Sequence, residues 1–225
     1  MRLLSNEIAT PTTRAIRVAL DGAAFPYRAG QAAAIGRIGD PGTPYSIASA
    51  PSDTERDGCL EFLIKVDGSN RFGAVVSSLQ PGTRLDVTPA SGRFTIPPSS
   101  PGHPLLFIAG GTGIAPLRSM LRQHLLAATD RPALVYSART PDEFAYADEF
   151  RQLANDGRLD LTLTLTGDAT DWRHARGRAS DQHLAELATP RTICFICGPP
   201  AMLIDVPNAL VRLGVPRTQI LTEDW

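Results

Sequence analysis

Lysine is almost missing from this chain of 225 residues, in which Lys65 is the only lysine among 22 Lys and Arg side chains. A single arginine is therefore weaker evidence for an anion site here than in an ordinary composition. The formal net charge is only −1 and no basic block stands out. We therefore expect no nucleic-acid partner.

Long apolar runs are also missing. No segment reaches the roughly 18 apolar residues of a membrane-spanning helix. Met1–Glu7 lacks the apolar region of a signal peptide. These absences lead us to expect a soluble, cytoplasmic protein with no membrane partner.

Cysteine is too scarce for a disulfide framework or a metal cluster. The three cysteines are Cys59, Cys194 and Cys197, an odd and small number. Cys194 and Cys197 form a C-x-x-C pair, but the residues between them are apolar and no second Cys or His pair stands at zinc spacing. An iron–sulfur cluster needs about four thiolates. We predict no metal site and no iron–sulfur segment in this chain.

Hydrophobic periodicity divides the chain into two parts. Up to about Phe94, segments with period two lie between Asp-Gly and Pro-Gly turns, which predicts an antiparallel barrel. A short helix, Asn70–Leu79, is predicted among these strands. Thr95–Pro104 is rich in Pro, Ser and Gly and is the best linker candidate. The predicted strands of this part are 14–20, 60–66 and 84–87.

After the linker, strands and helices alternate, which predicts a parallel sheet with helices on both faces. We therefore predict a barrel domain over residues 1–98 and an α/β domain over residues 103–225. The predicted strands are Leu105–Ala109, Ala133–Ser137, Leu159–Leu165 and Thr192–Cys197, and the predicted helices are Ile114–Leu126, Phe144–Ala154, Gln182–Leu187 and Pro200–Leu213.

The glycine-rich turn Gly110–Pro116 directly follows the apolar strand Leu105–Ala109. Glycines permit close backbone approach, and the first N–H groups of a helix attract phosphate. The turn is not G-x-G-x-x-G, so a turn without a ligand is the alternative. Ser137–Arg139 and Cys197–Pro200 follow two further predicted strands. The carboxyl ends of parallel strands share one edge, where ligands bind, so the three segments together predict a nucleotide site.

Six segments, in chain order and over nearly the whole length, resemble motifs of the ferredoxin–NADP(H) reductase superfamily. Tyr45 and Ser46 match the family's flavin motif Arg-x-Tyr-Ser. The later segments resemble its nicotinamide-cofactor turn and its C-terminal signature. Each match is weak alone, but their common order makes the resemblance specific. The segments are Tyr27–Gln31, Pro44–Pro51, Leu79–Thr83, Ser91–Phe94, Gly110–Pro116 and Cys197–Met202.

The resemblance implies that the barrel binds FAD. Tyr45 would pack on the isoalloxazine ring, with an ordinary strand tyrosine as the alternative. Ser46 would hydrogen-bond near flavin N5 as a catalytic group. Gly73–Val75 would present amides to the flavin pyrophosphate. The implied flavin-binding residues are Thr43, Pro44, Tyr45, Ser46, Ile64, Lys65, Arg71, Gly73, Ala74, Val75 and Trp225.

The resemblance further implies that the α/β domain binds NAD(P)H. Thr112 would donate its hydroxyl to the coenzyme pyrophosphate. Cys197 would flank the nicotinamide as a second catalytic residue, although a small buried apolar residue is its simpler interpretation. Trp225, the third, would stack on the flavin until the nicotinamide displaces it, with a frayed terminus as the alternative. The implied coenzyme-binding residues are Gly110, Gly111, Thr112, Gly113, Pro116, Ser137, Arg139, Arg178, Cys197, Gly198, Pro199 and Met202.

Two departures from the family pattern concern charge. Thr43 stands where the family has an arginine that neutralises the flavin pyrophosphate, and Arg71 is our candidate for its replacement. Many NADPH-using members have Ser-Arg after the third strand of the α/β half, to bind the 2′-phosphate. Here Leu165–Asp168 stands there, without an arginine, and Asp168 would repel phosphate, although Arg139, Arg173, Arg176 and Arg178 lie nearby in sequence. The sequence leaves the choice between NADH and NADPH open.

We predict an FAD-dependent oxidoreductase of this family. Hydride passes from NAD(P)H to FAD, and electrons continue to an external acceptor, either a ferredoxin-like protein or a small molecule. The alternatives are an electron-transfer subunit of a larger complex, a flavin reductase that releases reduced flavin, and a non-catalytic binding module that has lost its flavin.

Overall fold

The computed structural model describes residues 1–66, 68, 71–127 and 130–223. The chain forms two compact units. Among the described residues, the first contains Met1–Ile96 and Arg118–Leu126, and the second contains Pro97–Leu117, Ala127 and residues 130–223. This division differs from the predicted domains, 1–98 and 103–225, because Arg118–Leu126 has its contacts in the first unit. The domain boundaries themselves stay a prediction.

Six strands form two antiparallel sheets in the first unit, ordered β1-β2-β5 and β4-β3-β6. Isolated antiparallel bridges, from Arg2 to Arg84 and from Ile47 to Phe62, join the two sheets and close a barrel. The elements are β1 (Arg2–Thr10), β2 (Thr13–Ala19), β3 (Ala32–Arg37), β4 (Thr43–Ser46), α1 (Pro51–Asp57), β5 (Cys59–Lys65), α2 (Arg71–Val75) and β6 (Leu85–Val87).

Alternate side chains of β2 and β5 fill this barrel. Ile16, Val18, Phe62 and Ile64 are completely buried, as the period of two in a strand requires. Phe72 of α2 packs onto the same cluster. Complete burial of one such side chain contributes about 1.5–3 kcal/mol. The barrel core thereby holds β5 and α2, on which several predicted flavin residues lie.

The second unit contains a six-stranded sheet ordered β10-β9-β8-β7-β11-β12, in which every neighbouring pair is parallel. β7, β8 and β11 are buried along their whole length, as expected for apolar strands of a parallel sheet. The elements are β7 (Leu105–Gly110), α3 (Ile114–His124), β8 (Ala133–Ala138), α4 (Ala147–Asn155), β9 (Asp160–Leu165), β10 (Ala175–Arg176), α5 (Asp181–Leu184), β11 (Ile193–Cys197), α6 (Pro200–Arg212) and β12 (Ile220–Glu223).

The predicted fold class, an antiparallel β-barrel followed by a parallel α/β sheet, is confirmed. Some elements nevertheless escaped the sequence patterns. β3 is alanine-rich and forms because β4 and β6 pair with its two edges. α1 begins at Pro51, and the Asp53 carboxylate accepts the Ala50 N–H at 3.1 Å. The predicted helix Asn70–Leu79 is confined to Arg71–Val75 and a 3-10 turn, and Asn70 lies outside the described residues.

Within the described residues, no helix is long and apolar enough to span a membrane. The same part of the chain contains no group of three His, Cys, Asp or Glu side chains that could hold a metal ion. Cys59, Cys194 and Cys197 are buried free thiols.

Candidate functional site

The glycine turn after β7 lies against the backbone that follows β11. A Cβ atom on Gly113 would stand 2.1 Å from the Cys197 carbonyl oxygen, and one on Gly110 would stand 2.7 Å from Pro199 Cδ. Gly111 has φ +54°, a conformation that favours glycine. Side chains at these positions would therefore push the two turns apart.

A further close approach joins the same two turns. β7 and β11 are parallel neighbours, so both turns leave the carboxyl edge of the sheet. A Cβ atom on Gly198 would stand 2.7 Å from Met202 Sδ and 3.1 Å from the Gly110 nitrogen. The structure thus brings together the predicted segments Gly110–Pro116 and Cys197–Met202. We call the backbone surface formed by residues 110–113 and 197–198 the glycine cradle.

Tyr136 of β8 fixes the glycine turn from the neighbouring strand. Its hydroxyl donates to the Gly111 carbonyl at 3.1 Å and accepts the Ala145 N–H at 3.2 Å. Burial raises the pKa of Tyr136 well above its ordinary value, so the hydroxyl keeps its proton and can donate. The sequence predicted Tyr136 only as a strand residue, because a tyrosine in a buried strand gives no signal that separates this role from core packing.

Two hydroxyl groups at the cradle make no hydrogen bond within the described chain. Ser137 pairs with Gly110 across β8 and β7, is 5% exposed, and has a buried Oγ without a partner. An unsatisfied buried hydroxyl costs roughly 1–3 kcal/mol, so it indicates a ligand group or a water beside it. The hydroxyl of half-buried Thr112, in the glycine turn, also makes no hydrogen bond within the described chain. These residues fit a bound pyridine nucleotide.

Charged residues lie in the loops after β8, β9 and β10, at the same edge of the sheet. The Gly167 N–H donates to the Arg139 carbonyl at 3.1 Å, and a Cβ atom on Gly167 would stand 2.5 Å from that oxygen. Asp168 follows directly, and the side chains of Arg139, Asp168 and Arg178 are all exposed. The edge therefore presents both signs of charge, and its geometry alone favours neither NADH nor NADPH.

Both cysteines of the C-x-x-C pair are buried free thiols. Cys194 packs in the core beside the sheet, where burial raises its pKa to about 12. Cys197 is 1% exposed and its carbonyl meets Gly113. Cys197 is therefore a buried residue next to the glycine turn, and its catalytic role stays a prediction.

In the first unit, β4 carries predicted flavin residues and pairs with β3. The half-buried Tyr45 ring lies 6.1 Å from the Phe72 ring of α2. Ser46 is 7% exposed, and its hydroxyl makes no hydrogen bond within the described residues. Thr43 is half-buried and Pro44 is exposed. An aromatic side chain and a hydroxyl that makes no hydrogen bond within the described residues could each meet a planar ligand with polar ring atoms.

The other predicted flavin residues divide between the core and the surface. Ile64 is completely buried in the barrel core, so only its backbone could meet a ligand. Lys65 and Arg71 are exposed, and Arg71 makes no ion pair in the part of the chain that is described. Trp225 lies outside the described residues. In α2, Gly73 is buried, Ala74 is exposed and Val75 is half-buried.

A buried hydrogen-bond network holds the chain that follows β4. The Tyr27 hydroxyl donates to the Ser49 carbonyl at 2.9 Å and lies 2.8 Å from Thr54 Oγ1. Ser49 Oγ accepts the Glu61 N–H at 3.1 Å. Burial raises the pKa of Tyr27 to about 12, so its hydroxyl is protonated. Sequence patterning missed this network because its members come from separate segments.

A polar cavity of about 180 Å³ lies beside this network. Arg122 donates to Asp53 at 2.6 and 3.0 Å, and Arg118 pairs with Glu61 at 3.1 Å. Burial alone would raise the pKa of Asp53, but the bonds from Arg122 and the Ala50 N–H outweigh it and lower that pKa. Four arginines and three carboxylates line the cavity and largely neutralise one another. An ion-pair network therefore explains the charged lining of this cavity.

The parallel sheet with its glycine cradle, following a closed barrel, is the architecture of a nucleotide-binding protein. The family model of the oxidoreductase NAD-binding domain matches residues 107–207. The chain is 34% identical over 220 residues to ferredoxin–NADP reductase B of Sorangium cellulosum, covering 91% of this chain and 88% of that protein. The chain belongs to the ferredoxin–NADP reductase family, whose cofactors are FAD and NAD(P)H. The predicted family, enzyme class and cofactor pair are confirmed.

Two further similarities place the chain beside longer reductases. It is 30% identical over 208 residues to the ferredoxin reductase component of 3-ketosteroid-9-alpha-monooxygenase from Rhodococcus rhodochrous, covering 88% of this chain but 56% of that protein. The solved structure of the Amycolatopsis cytochrome P450 reductase GcoB has a TM-score of 0.88 at 23% identity, over 99% of this chain and 68% of that one. The second similarity shows the shared fold.

Proposed function

We propose that this protein transfers a hydride from NAD(P)H to bound FAD and passes electrons to a ferredoxin-like protein. The glycine cradle carries this proposal. Its glycines let the two turns approach closely beside the start of α3, where the positive end of the helix attracts an anionic diphosphate. The hydroxyls of Thr112 and Ser137 add two donors that no protein group uses within the described chain.

The coenzyme is held by the second unit. Thr112 donates to the coenzyme diphosphate, and Ser137 offers its buried hydroxyl beside Gly110. Pro116 costs no helical bond, because the first N–H groups of a helix have no partner within it. Cys197 and Gly198 flank the nicotinamide, and Pro199 and Met202 border the same turn.

The flavin is held by the first unit. Tyr45 supplies an aromatic face for the flavin ring, and Ser46 donates its hydroxyl to N5, which makes Ser46 a catalytic residue. The amides of Gly73–Val75 and the cation of Arg71 bind the flavin diphosphate. FAD bound there would supply hydride acceptance and one-electron transfer, and the protein would orient it and exclude water.

A ferredoxin-like acceptor is supported by what related proteins are called. The Sorangium relative is a ferredoxin–NADP reductase, and the Rhodococcus relative is a ferredoxin reductase component. This chain has three cysteines, too few to ligate an iron–sulfur cluster of its own.

A coupled assay tests the proposal. Purified protein loaded with FAD is mixed with NADPH or NADH and with one of three acceptors: a ferredoxin coupled to cytochrome c, ferricyanide, or free flavin. We expect coenzyme oxidation that depends on FAD and cytochrome c reduction that depends on ferredoxin. Failure to oxidise either coenzyme with every acceptor would contradict the proposal. The better coenzyme shows whether Asp168 or the arginines Arg139 and Arg178 dominate at the edge of the sheet.

One observation favours a second candidate, a flavin reductase. Thr43 supplies no positive charge to the flavin diphosphate, and a neutral hydrogen bond is about half as strong as a charge-assisted one. Weak binding would let reduced flavin leave. Protein that loses its colour on gel filtration, together with activity that saturates with added flavin and ignores ferredoxin, would select this candidate.

A further inference from the structure

The chain immediately after Ser46 is deeply buried, with residues 47–50 each exposed by 6% or less. The Ala48 N–H donates to the Glu61 carbonyl at 2.8 Å, as in a strand. Among the described residues, β4 itself has a ladder partner only on its β3 side. Its placement therefore depends strongly on what holds residues 47–50.

Side chains from α3 bind two consecutive carbonyls of this segment. The Ser119 hydroxyl donates to the Ser49 carbonyl at 2.6 Å, and Arg118 Nη1 donates to the Ala48 carbonyl at 3.0 Å. Both side chains are buried, and both belong to the same compact unit as β4. We call this pair of contacts, from residues 118 and 119 to the carbonyls of residues 48 and 49, the carbonyl clamp.

The Ser46 hydroxyl has no protein partner within the described residues, so the backbone sets its position. Ser49 is three residues further on, roughly 10 Å along an extended chain. Two bound carbonyls fix the orientation of two successive peptide planes, because a buried carbonyl that loses its donor is costly. We propose that the carbonyl clamp makes Ser119 and Arg118 positioning residues, which hold Ser46 at the reacting atom of the flavin. This inference rests on the proposed function.

Ser119 gives the cleaner test of the two. Arg118 also pairs with Glu61 at 3.1 Å, so its removal would leave a carboxylate without its partner. The Ser49 carbonyl, in contrast, also accepts the Tyr27 hydroxyl at 2.9 Å. Ser119→Ala therefore leaves this carbonyl with one donor, and Tyr27→Phe removes the other.

The experiment compares Ser119→Ala, Tyr27→Phe and the double variant, all loaded with FAD. Gln123→Ala is the matched control. Gln123 lies one turn further along α3 and accepts the Ser52 N–H at 3.2 Å, so it contacts α1 instead of residues 47–50. The readouts are the visible circular dichroism of bound flavin, the rate of anaerobic flavin reduction at saturating coenzyme, and the coenzyme Kd.

We expect each single variant to slow flavin reduction about threefold and the double variant by more than the product of the two, because both donors share one acceptor. The flavin circular dichroism should change in the same order, while the coenzyme Kd stays within about twofold of wild type. Gln123→Ala should match wild type in all three readouts.

Single variants that match Gln123→Ala in dichroism and in reduction rate would overturn the carbonyl clamp and leave the proposed function intact. If the double variant does not fold, the two single variants alone decide the test. A wild-type protein that binds no FAD would overturn the proposed function and the clamp together. A slower rate explained wholly by a weaker coenzyme Kd would also overturn the clamp.

Discussion

The two units present their candidate sites in different ways. In the second unit, the site is mostly backbone, and glycine is favoured at three positions because a Cβ atom would approach neighbouring atoms to 2.1–2.9 Å. In the first unit, the site is made mainly of side chains on β4, and hydrogen bonds from distant parts of the chain hold the residues that follow this strand. A backbone site is specified by glycines within one or two short segments. A side-chain site held by long-range bonds is specified by residues far apart in sequence.

Gly113→Ala is expected to have the largest effect on coenzyme binding, because it places a side chain within the backbone site itself. The new Cβ atom would stand 2.1 Å from the Cys197 carbonyl oxygen, which can move only with the chain after β11. Overpacking of this kind costs about 1–3 kcal/mol. We expect coenzyme binding to weaken by about tenfold or more. Isothermal titration with NADPH and NADH measures the change.

Gly198→Ala is a milder variant for comparison with Gly113→Ala. Its nearest neighbour is the Met202 sulfur at 2.7 Å, at the end of a flexible side chain that can move away. The loss of coenzyme affinity should be smaller than for Gly113→Ala, and neither variant should lose FAD. A Gly113→Ala protein with the wild-type coenzyme Kd would refute the idea that the cradle contacts the coenzyme.

Asp53→Asn probes the ion pairs of the first unit. The variant leaves Arg122 partly buried without its carboxylate, which should cost about 2 kcal/mol. The pKa of Asp53 is lowered in the folded protein, so this stabilisation is complete above the unfolded pKa and is lost as the pH falls through the folded pKa. In urea unfolding, the difference between wild type and variant should be full at neutral pH and shrink below about pH 4.

Asp181→Asn is the control for this prediction. Asp181 pairs with Arg212 on the surface of the second unit, with both side chains about half exposed. Solvent screens such a pair, so the loss of stability should be much smaller. Equal losses in the two variants, or a loss at Asp53 that does not depend on pH, would argue against the buried network.

Arg71→Ala is expected to have the smallest effect. Arg71 is an exposed cation without an ion pair in the described chain, and it stands at the start of α2. If it replaces the arginine missing at Thr43, its loss should weaken FAD binding by about fivefold at low salt and less at high salt. Adding Thr43→Arg to the Arg71→Ala variant should restore the affinity for FAD.

Arg151→Ala removes the same charge from α4 in the second unit, where Arg151 pairs with Asp148. It should leave FAD binding unchanged. Equal FAD affinity in Arg71→Ala and wild type would show that another group neutralises the flavin diphosphate. Fluorescence of released flavin measures all three variants.

The comparison also explains what could be predicted from the sequence. β7, β8 and β11 are buried apolar runs, and the glycine turn lies between a strand and a helix, so the parallel sheet and the cradle were predictable from local patterns. Tyr45 and Ser46 were found by resemblance to a family motif. The place of Tyr45 beside Phe72 depends on the packing of α2, which no local pattern describes.

The hydrogen bonds behind β4 were not predictable. The contact from Ser119 to Ser49 spans 70 residues, and that from Tyr27 spans 22. Serine and tyrosine are common, and nothing nearby in sequence indicates that these two would share an acceptor. Tyr136 escaped for the same reason, because its strand pattern is that of core packing alone.

Anaerobic titration of the FAD-loaded protein tests the central claim most directly. The account predicts that one equivalent of NADPH or NADH per flavin bleaches the flavin absorption bands, and that ferredoxin then restores them. Flavin bands that dithionite bleaches but that neither coenzyme changes would contradict the claim that the glycine cradle delivers a reducing nucleotide to this flavin.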